Sequence, residues 1–405
     1  MEILLKVLHV IPTLGPRFGG STVACLELCE AIAAIGVNTS IYTTTIEVPH
    51  WGNPRGGIVN YHGVEVSFFP KVGFDYYWFS WGLYTALRDR LPEFDVLHVH
   101  SLYRSHLPIC MHFASKYGIP MVVKPHGSLD PFLFVRRRWR KVAHEWFFER
   151  PAFRNAAALH FTSEEEKVLA ISTGIFRGAG GTAKVIVPSG VVVAEGITPI
   201  GKPSYRLQQD YPQLEGKKVI LFLGRINFKK GLDILVKAFG LLARIDPAVH
   251  LLIVGPDNEG YGKKVKDWIE QENVRDRTTV IDMLTGEAKA AAYASADVFV
   301  LSSYTENFGL TVVEAMSVGL PVVVSDRVNI WREVDEAQAG LVVPCDALQT
   351  SNAIRRILDD RTAAAEMGVR GKQLVNDKFT WPSIAVLMRN IYENLVERRA
   401  GHGQQ

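Results

Sequence analysis

The chain has 405 residues, of which 47% are hydrophobic and 21% are charged, and its formal net charge is +3. This length exceeds that of one typical hydrophobic core, so the default expectation is a globular protein with two α/β domains. The small net charge gives no reason to expect a nucleic-acid partner.

The N-terminal apolar run, residues 3–11, is too short to span a membrane and has no small-residue cleavage site. We therefore predict that it forms the first buried strand. No other stretch is apolar over the roughly 18 residues that a membrane-spanning helix needs. Four cysteines occur without Cys-x-x-Cys spacing: Cys25, Cys29, Cys110 and Cys345. We expect the first two to lie on a buried helix face rather than in a metal site, and the protein to occupy a reduced, cytoplasmic compartment.

In the first half of the chain, short apolar segments alternate with longer amphipathic ones, which is typical of a parallel sheet covered by helices. The predicted strands are 7–11, 38–43, 64–69, 96–100, 121–124, 158–162 and 184–187. The predicted helices are 21–35, 83–90, 107–117, 138–149 and 164–171. Prolines, glycines and few apolar residues mark 188–203 as a linker.

The same alternation restarts after the linker. The predicted strands are 219–223, 250–254, 279–282, 298–301, 321–325 and 340–343. The predicted helices are 232–245, 262–271, 289–294, 310–318 and 348–358. The restart predicts two Rossmann-like domains, 1–195 and 204–380, each binding ligands beyond the carboxyl ends of its strands. A last helix is predicted over 381–400, with Pro382 suited to its first turn.

Two glutamates, Glu306 and Glu314, lie eight positions apart on either side of Gly309. This spacing predicts one carboxylate in the loop that opens a helix and the other one turn inside the helix. Both can then face one ligand at the helix N-terminus, where free N–H groups and the helix dipole favour a phosphorylated group. The alternative is an ordinary strand–loop–helix segment with surface carboxylates.

A second basic element, Arg225 and Lys230, lies in the glycine-bounded run 224–231 after the first strand of the second domain. The guanidinium fork and the ammonium point charge can clamp a diphosphate between them. Negative charge grows on a departing nucleoside diphosphate, so the clamp would be stronger in the transition state than in the ground state. We expect the neighbouring Lys229 to be solvated.

Two loops of the first domain carry candidate ligand contacts. Gly19, Gly20 and Ser21 stand at a predicted helix start, where adjacent glycines allow backbone N–H groups close to a phosphate, although any tight turn also uses glycines. Ser21 is predicted to cap the helix. The pair is not a full Gly-x-Gly-x-x-Gly motif, so a nicotinamide cofactor is not supported. His126, in the loop 124–131, could contact a sugar or a phosphate or serve a structural role.

Two further patterns are less specific. His98 and His100 share one face of a predicted strand, but the sequence reveals no third ligand, which argues against zinc. The run Arg136 to Lys141 holds five cations in six residues and follows an aromatic segment. It could lie against an anionic membrane or a lipid-phosphate acceptor, or it could be a solvated helix start. Because the basic run is isolated, nucleic acid is not expected.

The run from Thr305 to Met316 resembles the donor-sugar signature of the family 4 retaining glycosyltransferases, which have the GT-B fold. The resemblance covers almost the whole chain and is strongest over 224–326. It implies that Glu306 holds the sugar hydroxyls and Glu314 the nucleotide ribose. The segment between them would face the sugar and diphosphate: Asn307, Phe308, Gly309, Leu310 and Thr311. Arg225, Lys230, the Gly19–Gly20 pair and His126 also match family positions, and the loop around His126 is similar to a subgroup that assembles cell-surface polysaccharides.

The family implies an α/β GT-B architecture with two Rossmann-like domains facing each other across a cleft, and a terminal helix that crosses back to the first domain. It also implies that a sugar moves, with retention, from a nucleotide diphosphate sugar to a saccharide or lipid-linked acceptor. The candidate catalytic residues are His126, Glu306, Arg225 and Lys230. The segment 282–284 departs from the family pattern near the expected base pocket, so uridine, guanosine and adenosine all stay open. Residues 188–190 depart from it as well.

A covalent double displacement would need a carboxylate on the face opposite the leaving group, and the resemblance gives Glu306 to the sugar hydroxyls instead. The resemblance therefore favours a front-face reaction, in which the leaving phosphate accepts the proton of the acceptor. No Asp-x-Asp motif occurs, so we expect neither a metal nor any cofactor besides the donor substrate. Two rivals stay open at this point: a nucleotide-sugar epimerase of the same fold, and a non-catalytic subunit that binds nucleotide sugars. The presence of His126 and the Gly19–Gly20 loop disfavours the second rival.

Overall fold

The computed structural model describes residues 5–18, 20–72, 77–131, 144–175, 190–193, 200–201, 203–257 and 260–402. The chain divides into two compact units. The first consists of Met1–Gly196 together with Trp381–Gln405, and the second is Ile197–Thr380.

The first unit contains one eight-stranded sheet in the order β3-β4-β2-β1-β5-β6-β7-β8. Its strands are β1 Lys6–Val10, β2 Asn38–Thr44, β3 Gly57–Tyr61, β4 Val64–Phe69, β5 Val96–His100, β6 Met121–Lys124, β7 Ala158–Phe161 and β8 Gly190–Val193. Its helices are α1 Gly20–Ala34, α2 Trp81–Arg90, α3 His106–Tyr117, α4 Arg150–Asn155 and α5 Glu164–Ser172, with a π-helical turn at Glu145–Glu149 before α4. All described neighbouring strands are parallel except the edge pair β3–β4.

The central strands are buried on both faces, and their sequences are therefore almost continuously apolar. β1 lies between β2 and β5, and its His9 stands beside Ile41 on one side and His98 on the other. The chain order reverses at this point, because β2 and β4 continue the sheet to one side and β5 to β8 to the other. Such a switch point opens a crevice beyond the carboxyl ends of the two strands, where α/β sheets bind ligands.

The last helix, α13, is the span Trp381–His402 that follows the helices of the second unit, and it packs against α1 of the first unit. Trp381, Met388 and Tyr392 belong to the same buried cluster as Val7 and Leu28. The Trp381 indole N–H also donates to the Glu27 carboxylate at 2.6 Å. The first unit therefore completes one of its cores with residues from the far end of the chain.

The second unit contains a six-stranded, wholly parallel sheet in the order β11-β10-β9-β12-β13-β14. Its strands are β9 Lys218–Leu223, β10 Val249–Val254, β11 Thr278–Ile281, β12 Val298–Leu301, β13 Val322–Ser325 and β14 Gly340–Val343. Its helices are α6 Leu232–Ala243, α7 Gly262–Gln271, α8 Gly286–Ala294, α9 Leu310–Ser317, α10 Trp331–Glu336, α11 Ala347–Asp359 and α12 Arg361–Lys378. The switch point lies between β9 and β12.

Several elements differ from the sequence predictions. The strand β3 and the helices α4, α10 and α12 were not predicted. β8, Gly190–Val193, lies inside the stretch predicted as linker, and it pairs with β7 at the edge of the sheet. The predicted strand 184–187 and the start of the predicted helix 138–149 lie outside the described residues. Within the described residues, no helix combines the length and the apolar character needed to cross a membrane.

Candidate functional site

In the second unit, the loops that follow β9 and β12 carry most of the residues predicted to bind a ligand. The loop after β9 runs from Gly224 to Gly231 and is fixed by main-chain bonds at its start. The N–H of Gly224 donates to Val254 O at 2.9 Å, and the N–H of Ile226 donates to Pro256 O at 3.0 Å. Asn227 then caps a short 3₁₀ turn through the N–H of Lys229, at 3.1 Å. The loop is therefore built to hold its cations in place.

Lys230 and Glu306 form an ion pair that joins the two loops. Their side chains are only 14% and 21% exposed, so solvent screens the pair less than it would a surface salt bridge. The Glu306 backbone is fixed as well, since its N–H donates to Arg327 O at 3.0 Å and its carbonyl accepts from Asn329 at 3.0 Å. The predicted diphosphate cation and the predicted sugar-binding acid thus lie next to each other.

Glu314 is held by two partners that sequence reasoning missed. Lys289 donates to one carboxylate oxygen at 2.7 Å, and the Tyr293 hydroxyl donates to the other at 2.7 Å. Burial and the adjacent Glu314 charge raise the pKa of Tyr293 well above its ordinary value, so it stays a hydroxyl donor. Lys289 and Tyr293 are four apart on α8, and that helical spacing was the available signal.

The N-terminus of α9 faces the same site. Gly309 precedes the helix with a φ of 78°, and no side chain caps the helix. The Phe308 ring is buried against Phe379, with ring centroids 5.4 Å apart, so only its backbone can serve a ligand. Leu310 packs in part against the core, which leaves the same role for its N–H group. Asn307 and Thr311 are half-buried at the two ends of this turn.

Arg225 is placed differently from Lys230. Its side chain is exposed, and no ion pair is found for it among the described residues of the chain. Arg225 is therefore not part of the Lys230–Glu306 pair. The structure puts Lys230 on Glu306 and leaves Arg225 pointing to solvent at the start of the loop.

Gly231 allows the loop after β9 to reach the end of β12. Its φ is 61°, and an added Cβ would lie 1.9 Å from the Ser302 carbonyl oxygen, a backbone atom. We expect Gly231→Ala to lower the free energy of unfolding by about 2–5 kcal/mol, from left-handed strain plus overpacking. Urea unfolding of the purified variant measures this loss.

Gly216 supplies the matched control for this prediction. Its φ is 69°, but nothing lies within 4 Å of an added Cβ. Gly216→Ala should therefore show only the strain of the left-handed conformation, about 1–2 kcal/mol. Equal losses in the two variants would show that the contact with Ser302 is unimportant.

In the first unit, a cavity of about 350 Å³ lies beyond the carboxyl ends of β1 and β5, at the switch point of the sheet. Its lining combines aromatic rings, small hydroxyls and one guanidinium: Phe18, Trp78, Tyr103, Ser21, Ser101, Ser128 and Arg104. The Arg104 guanidinium lies over the Trp78 ring, 4.4 Å from its centroid. Of these residues, sequence reasoning had singled out only Ser21, as the cap of the following helix. Because α1 begins at Gly20, Ser21 lies in the first turn of the helix and does not cap it, which corrects the prediction.

Strained backbone concentrates around this cavity. Eight non-glycine residues of the described chain have positive φ, and four of them are at or next to the cavity: Trp78, Ser101, Tyr103 and His126. Buried carboxylates hold two of these positions. These two positions are Tyr103 and His126. The backbone N–H of Tyr103 donates to the Glu149 carboxylate at 3.0 Å, and the Tyr103 hydroxyl donates to the Glu145 carboxylate at 2.8 Å. Backbone strain of this kind costs free energy and persists where the surroundings enforce it, typically at functional sites.

The loop of His126 is fixed by a third buried carboxylate, Glu166. The Gly127 N–H donates to Glu166 at 2.6 Å, and the N–H and hydroxyl of Thr162 donate to its other oxygen at 2.6 and 2.7 Å. Burial raises the pKa of Glu166, although these hydrogen bonds and Lys124 act in the opposite direction. His126 itself is half-buried, with a φ of 52°.

Behind this loop lies a buried group of imidazoles. His9 supplies the third ring beside His98 and His100, and their nitrogens lie within 4.8 Å of one another. The stated objection to zinc, a missing third ligand, was therefore wrong. A different objection replaces it: the ring nitrogens hydrogen-bond one another and Tyr392, and the positive charge of Lys124 reaches all three rings. Cys25 and Cys29 also lie near His9 and are buried, as predicted for a helix face.

Two predicted contact regions cannot be placed. Gly19 lies outside the described residues, whereas its neighbour Gly20 is the exposed first residue of α1. The basic run Arg136 to Lys141 also lies outside the described residues.

Comparison with known proteins defines the class. A family model described as "Glycosyl transferases group 1" matches residues 206–374, and one described as "Glycosyl transferase 4-like domain" matches residues 19–179. A D-inositol 3-phosphate glycosyltransferase of Pseudarthrobacter chlorophenolicus is 26% identical, with 99% of this chain and 97% of the relative covered.

Solved structures show the same fold. A sucrose-phosphate synthase of Thermosynechococcus elongatus superposes with a TM-score of 0.73 at 22% identity, covering 97% of this chain and all (100%) of that one. The Anabaena protein HepE, in complex with UDP and glucose, superposes with a TM-score of 0.74 at 18% identity, covering 96% of this chain and 100% of that one.

Two Rossmann-like sheets, each with candidate residues at its switch point, define the GT-B fold. The chain belongs to the family 4 glycosyltransferases, a retaining family that uses nucleotide-sugar donors. This confirms the fold class, the family and the enzymatic activity that the motifs predicted. The roles of individual residues stay predictions.

Proposed function

We propose that the protein transfers a hexose from a nucleotide diphosphate sugar, bound in the second unit, to a hydroxyl group of a saccharide acceptor, free, phosphorylated or lipid-linked, bound in the first. The observation that carries the proposal is the pairing of Lys230 with Glu306 beside the uncapped N-terminus of α9. A cation, an acid and free N–H groups at one point match a diphosphate joined to a sugar.

Each part of the donor matches one part of this site. The helix N-terminus and Lys230 take the diphosphate, because both favour anions. Glu306 accepts hydrogen bonds from the hydroxyls of the sugar that is joined to the outer phosphate. Glu314 accepts from the ribose, and its orientation is fixed by Lys289 and Tyr293. The exposed Arg225 is free to close on the phosphates when the donor binds. HepE, which was solved with UDP and glucose, supports a donor of this class.

The acceptor fits the cavity of the first unit. Aromatic rings such as Phe18 and Trp78 offer apolar faces for a sugar ring, and Ser101 and Ser128 offer hydroxyls for its polar edge. The Arg104 guanidinium suits an anionic substituent, since its fork matches phosphate and carboxylate geometry. A relative that is named for D-inositol 3-phosphate supports a phosphorylated acceptor among those to be tested.

The proposed chemistry needs no metal. Charge that develops on the leaving diphosphate is met by Lys230, Arg225 and the dipole of α9, which together replace a divalent ion. The leaving phosphate takes the acceptor proton on the same face of the sugar, so the configuration at the anomeric carbon is retained. Glu306 holds the hydroxyls of the reacting sugar during this step, and His126 is the candidate substrate contact of the first unit.

A product inventory tests the proposal. Purified protein is incubated with UDP-, GDP- and ADP-linked sugars, with and without free, phosphorylated and lipid-linked saccharides, and the products are identified by mass spectrometry. We expect one donor to yield an acceptor lengthened by one hexose, with and without a chelator, because phosphate neutralisation comes from the protein.

Three results would contradict this expectation. A donor sugar altered without acceptor would identify an epimerase. Binding of a nucleotide sugar with no product from any acceptor would identify a non-catalytic subunit. Loss of transfer in chelator, restored by a divalent ion, would show that a metal takes part.

A further inference from the structure

Three imidazoles in the first unit form a continuous chain that ends on His126; we call it the histidine relay, and it consists of His9, His100 and His126. His9 Nδ1 lies 3.0 Å from His100 Nε2, and His100 Nδ1 lies 3.0 Å from His126 Nε2. His9 and His100 are fully buried in β1 and β5, whereas His126 is half-buried in the loop beside the cavity. The relay thus leads from the core of the sheet to its carboxyl edge.

All three rings are neutral. Burial lowers the pKa of His9 to about 3 and holds the pKa of His100 and His126 well below the ordinary value, and Lys124 lowers each of them further. A neutral imidazole carries one N–H donor and one acceptor nitrogen. Because His100 uses both nitrogens within the relay, it must donate at one and accept at the other. The hydrogen positions of the three rings are therefore coupled, and only two arrangements exist.

His9 decides between the two arrangements. Its Nε2 is buried and has no hydrogen-bond partner. In one arrangement His9 donates through Nδ1, and its Nε2 is a lone pair. In the other it accepts at Nδ1, and its Nε2 becomes a buried N–H with no acceptor, which native proteins strongly avoid. The positive charge of Lys124, which already lowers the His9 pKa, also favours a lone pair over an N–H group.

The first arrangement fixes the tautomer of His126. His9 Nδ1–H donates to His100, and His100 Nδ1–H donates to His126 Nε2, so the hydrogen of His126 resides on Nδ1. No partner for that Nδ1 is found among the described residues. The Glu166 carboxylate holds the adjacent Gly127 N–H at 2.6 Å, which fixes the loop around the ring.

We propose that His9 and His100 are positioning residues that hold His126 as the Nδ1–H tautomer, so that His126 offers a hydrogen-bond donor to an oxygen of the substrate. This deepens the proposed function and rests on it for the identity of the substrate. His126 then binds a sugar hydroxyl or phosphate oxygen as a neutral donor and does not act as a base.

Nitrogen-15 NMR of histidine side chains tests the tautomer directly and without substrate. In the ¹⁵N-labelled protein we expect His126, assigned by the loss of its signals in His126→Gln, to carry its hydrogen on Nδ1. In His9→Asp a carboxylate acceptor stands near the position of Nδ1, so His100 reverses to donate to it through Nε2, and the Nε2–H form of His126 should appear. In His9→Asn a side-chain amide N–H stands near the position of Nδ1, and the wild-type tautomer should be retained.

Activity provides the second readout. His9→Asp should lower kcat by at least about tenfold, because a misplaced donor costs orientation at the reacting centre. His9→Asn should restore most of it. The control is His160→Leu, which removes a buried imidazole that contacts His98 at 3.3 Å and does not belong to the relay. This control should leave the His126 tautomer unchanged.

Three outcomes would overturn the inference: an Nε2–H tautomer of His126 in the wild type, an unchanged tautomer in His9→Asp, or one equivalent of bound metal on the relay nitrogens. If His9→Asp does not fold, the wild-type spectrum still decides the tautomer of His126. If His126 is the Nε2–H tautomer and the protein transfers sugar, the relay is wrong but the proposed function stands. If His126 is the Nδ1–H tautomer and no donor gives transfer, the proposed function is wrong but the relay stands.

Discussion

Replacing Glu306 by glutamine is expected to lower kcat by about 10²–10³-fold while the affinity for a nucleoside diphosphate stays equal or rises. The opposite signs follow from the ion pair. In the free protein the Glu306 carboxylate neutralises Lys230, with both side chains mostly buried. Glutamine keeps the shape but releases the ammonium charge for phosphate. The same change removes the acceptor that holds the sugar in the transition state.

Lys230→Met should instead weaken the binding of the nucleoside diphosphate. Its nucleoside diphosphate affinity is expected to fall by about ten- to a hundredfold, from the loss of a charge-assisted hydrogen bond of about 1.5–3 kcal/mol. Combining it with Arg225→Ala should weaken binding further if both cations meet the phosphates. Calorimetry with UDP, GDP and ADP measures affinity, and a transfer assay measures kcat.

The matched control is Glu336→Gln, an exposed carboxylate on α10 of the same unit. It should change neither quantity. If Glu306→Gln transfers sugar at the wild-type rate, Glu306 is not in the sugar site. If Lys230→Met with Arg225→Ala binds nucleotide with full affinity, the diphosphate clamp does not exist.

Acidification is expected to unfold the first unit steeply below pH 6.5. The fully buried histidines of this unit include His9, His98, His100 and His106. Burial lowers the pKa of His9 to about 3 and of His106 to about 4, and it holds the pKa of His98 and His100 well below the ordinary value. Above pH 6.5 the folded and unfolded states are both neutral at these rings, so the full stability is present.

As the pH falls below 6.5, these histidines bind protons in the unfolded chain but stay neutral in the folded state. Each ring then removes up to about 1.4 kcal/mol of stability per pH unit, and four rings remove up to about 5.5 kcal/mol. Because a domain has only about 5–15 kcal/mol in total, unfolding near pH 5 is the expected result. Urea unfolding at pH 7.5, 6.5 and 5.5 gives the slope.

The slope distinguishes this cause from general acid instability. His106→Leu loses the bond to the His100 carbonyl, so it should be less stable at pH 7.5, but its slope should be smaller by one proton. His112 is exposed on α3, and His112→Asn should leave the slope unchanged. A slope that is equal in His106→Leu and the wild type would show that the buried rings do not cause the acid sensitivity.

The sequence was sufficient to predict the fold and to identify the candidate residues of the second unit. Strand–helix alternation predicted both sheets, because strands that are buried on both faces read as short apolar runs. The edge strand β3 was missed since it is exposed and antiparallel, and Gly57–Tyr61 lacks that apolar signal. Glu306, Lys230 and Glu314 were identifiable because each lies within a short run of sequence that carries its own helix start.

The other residues could not be predicted, because they act through contacts between distant segments. Glu314 lies 25 positions from Lys289, and His9 lies 91 positions from His100. Glu166 reads as an ordinary acid in the first turn of a helix, yet it fixes the His126 loop 39 positions away. Pairings of this kind depend on the order of strands in the sheet, which local patterns do not encode.

The position of α13 has a consequence for how the chain is made. Trp381, Met388 and Tyr392 fill a cluster whose other walls, such as Val7 and Leu28, come from the first strand and helix. During translation the first strand and helix emerge roughly 350 residues before α13, and their apolar surface stays uncovered until α13 is made. Domains usually fold as units in the order of synthesis. The second unit, which is continuous in sequence, can finish folding on the ribosome while the first still needs a chaperone or its own late-arriving helix.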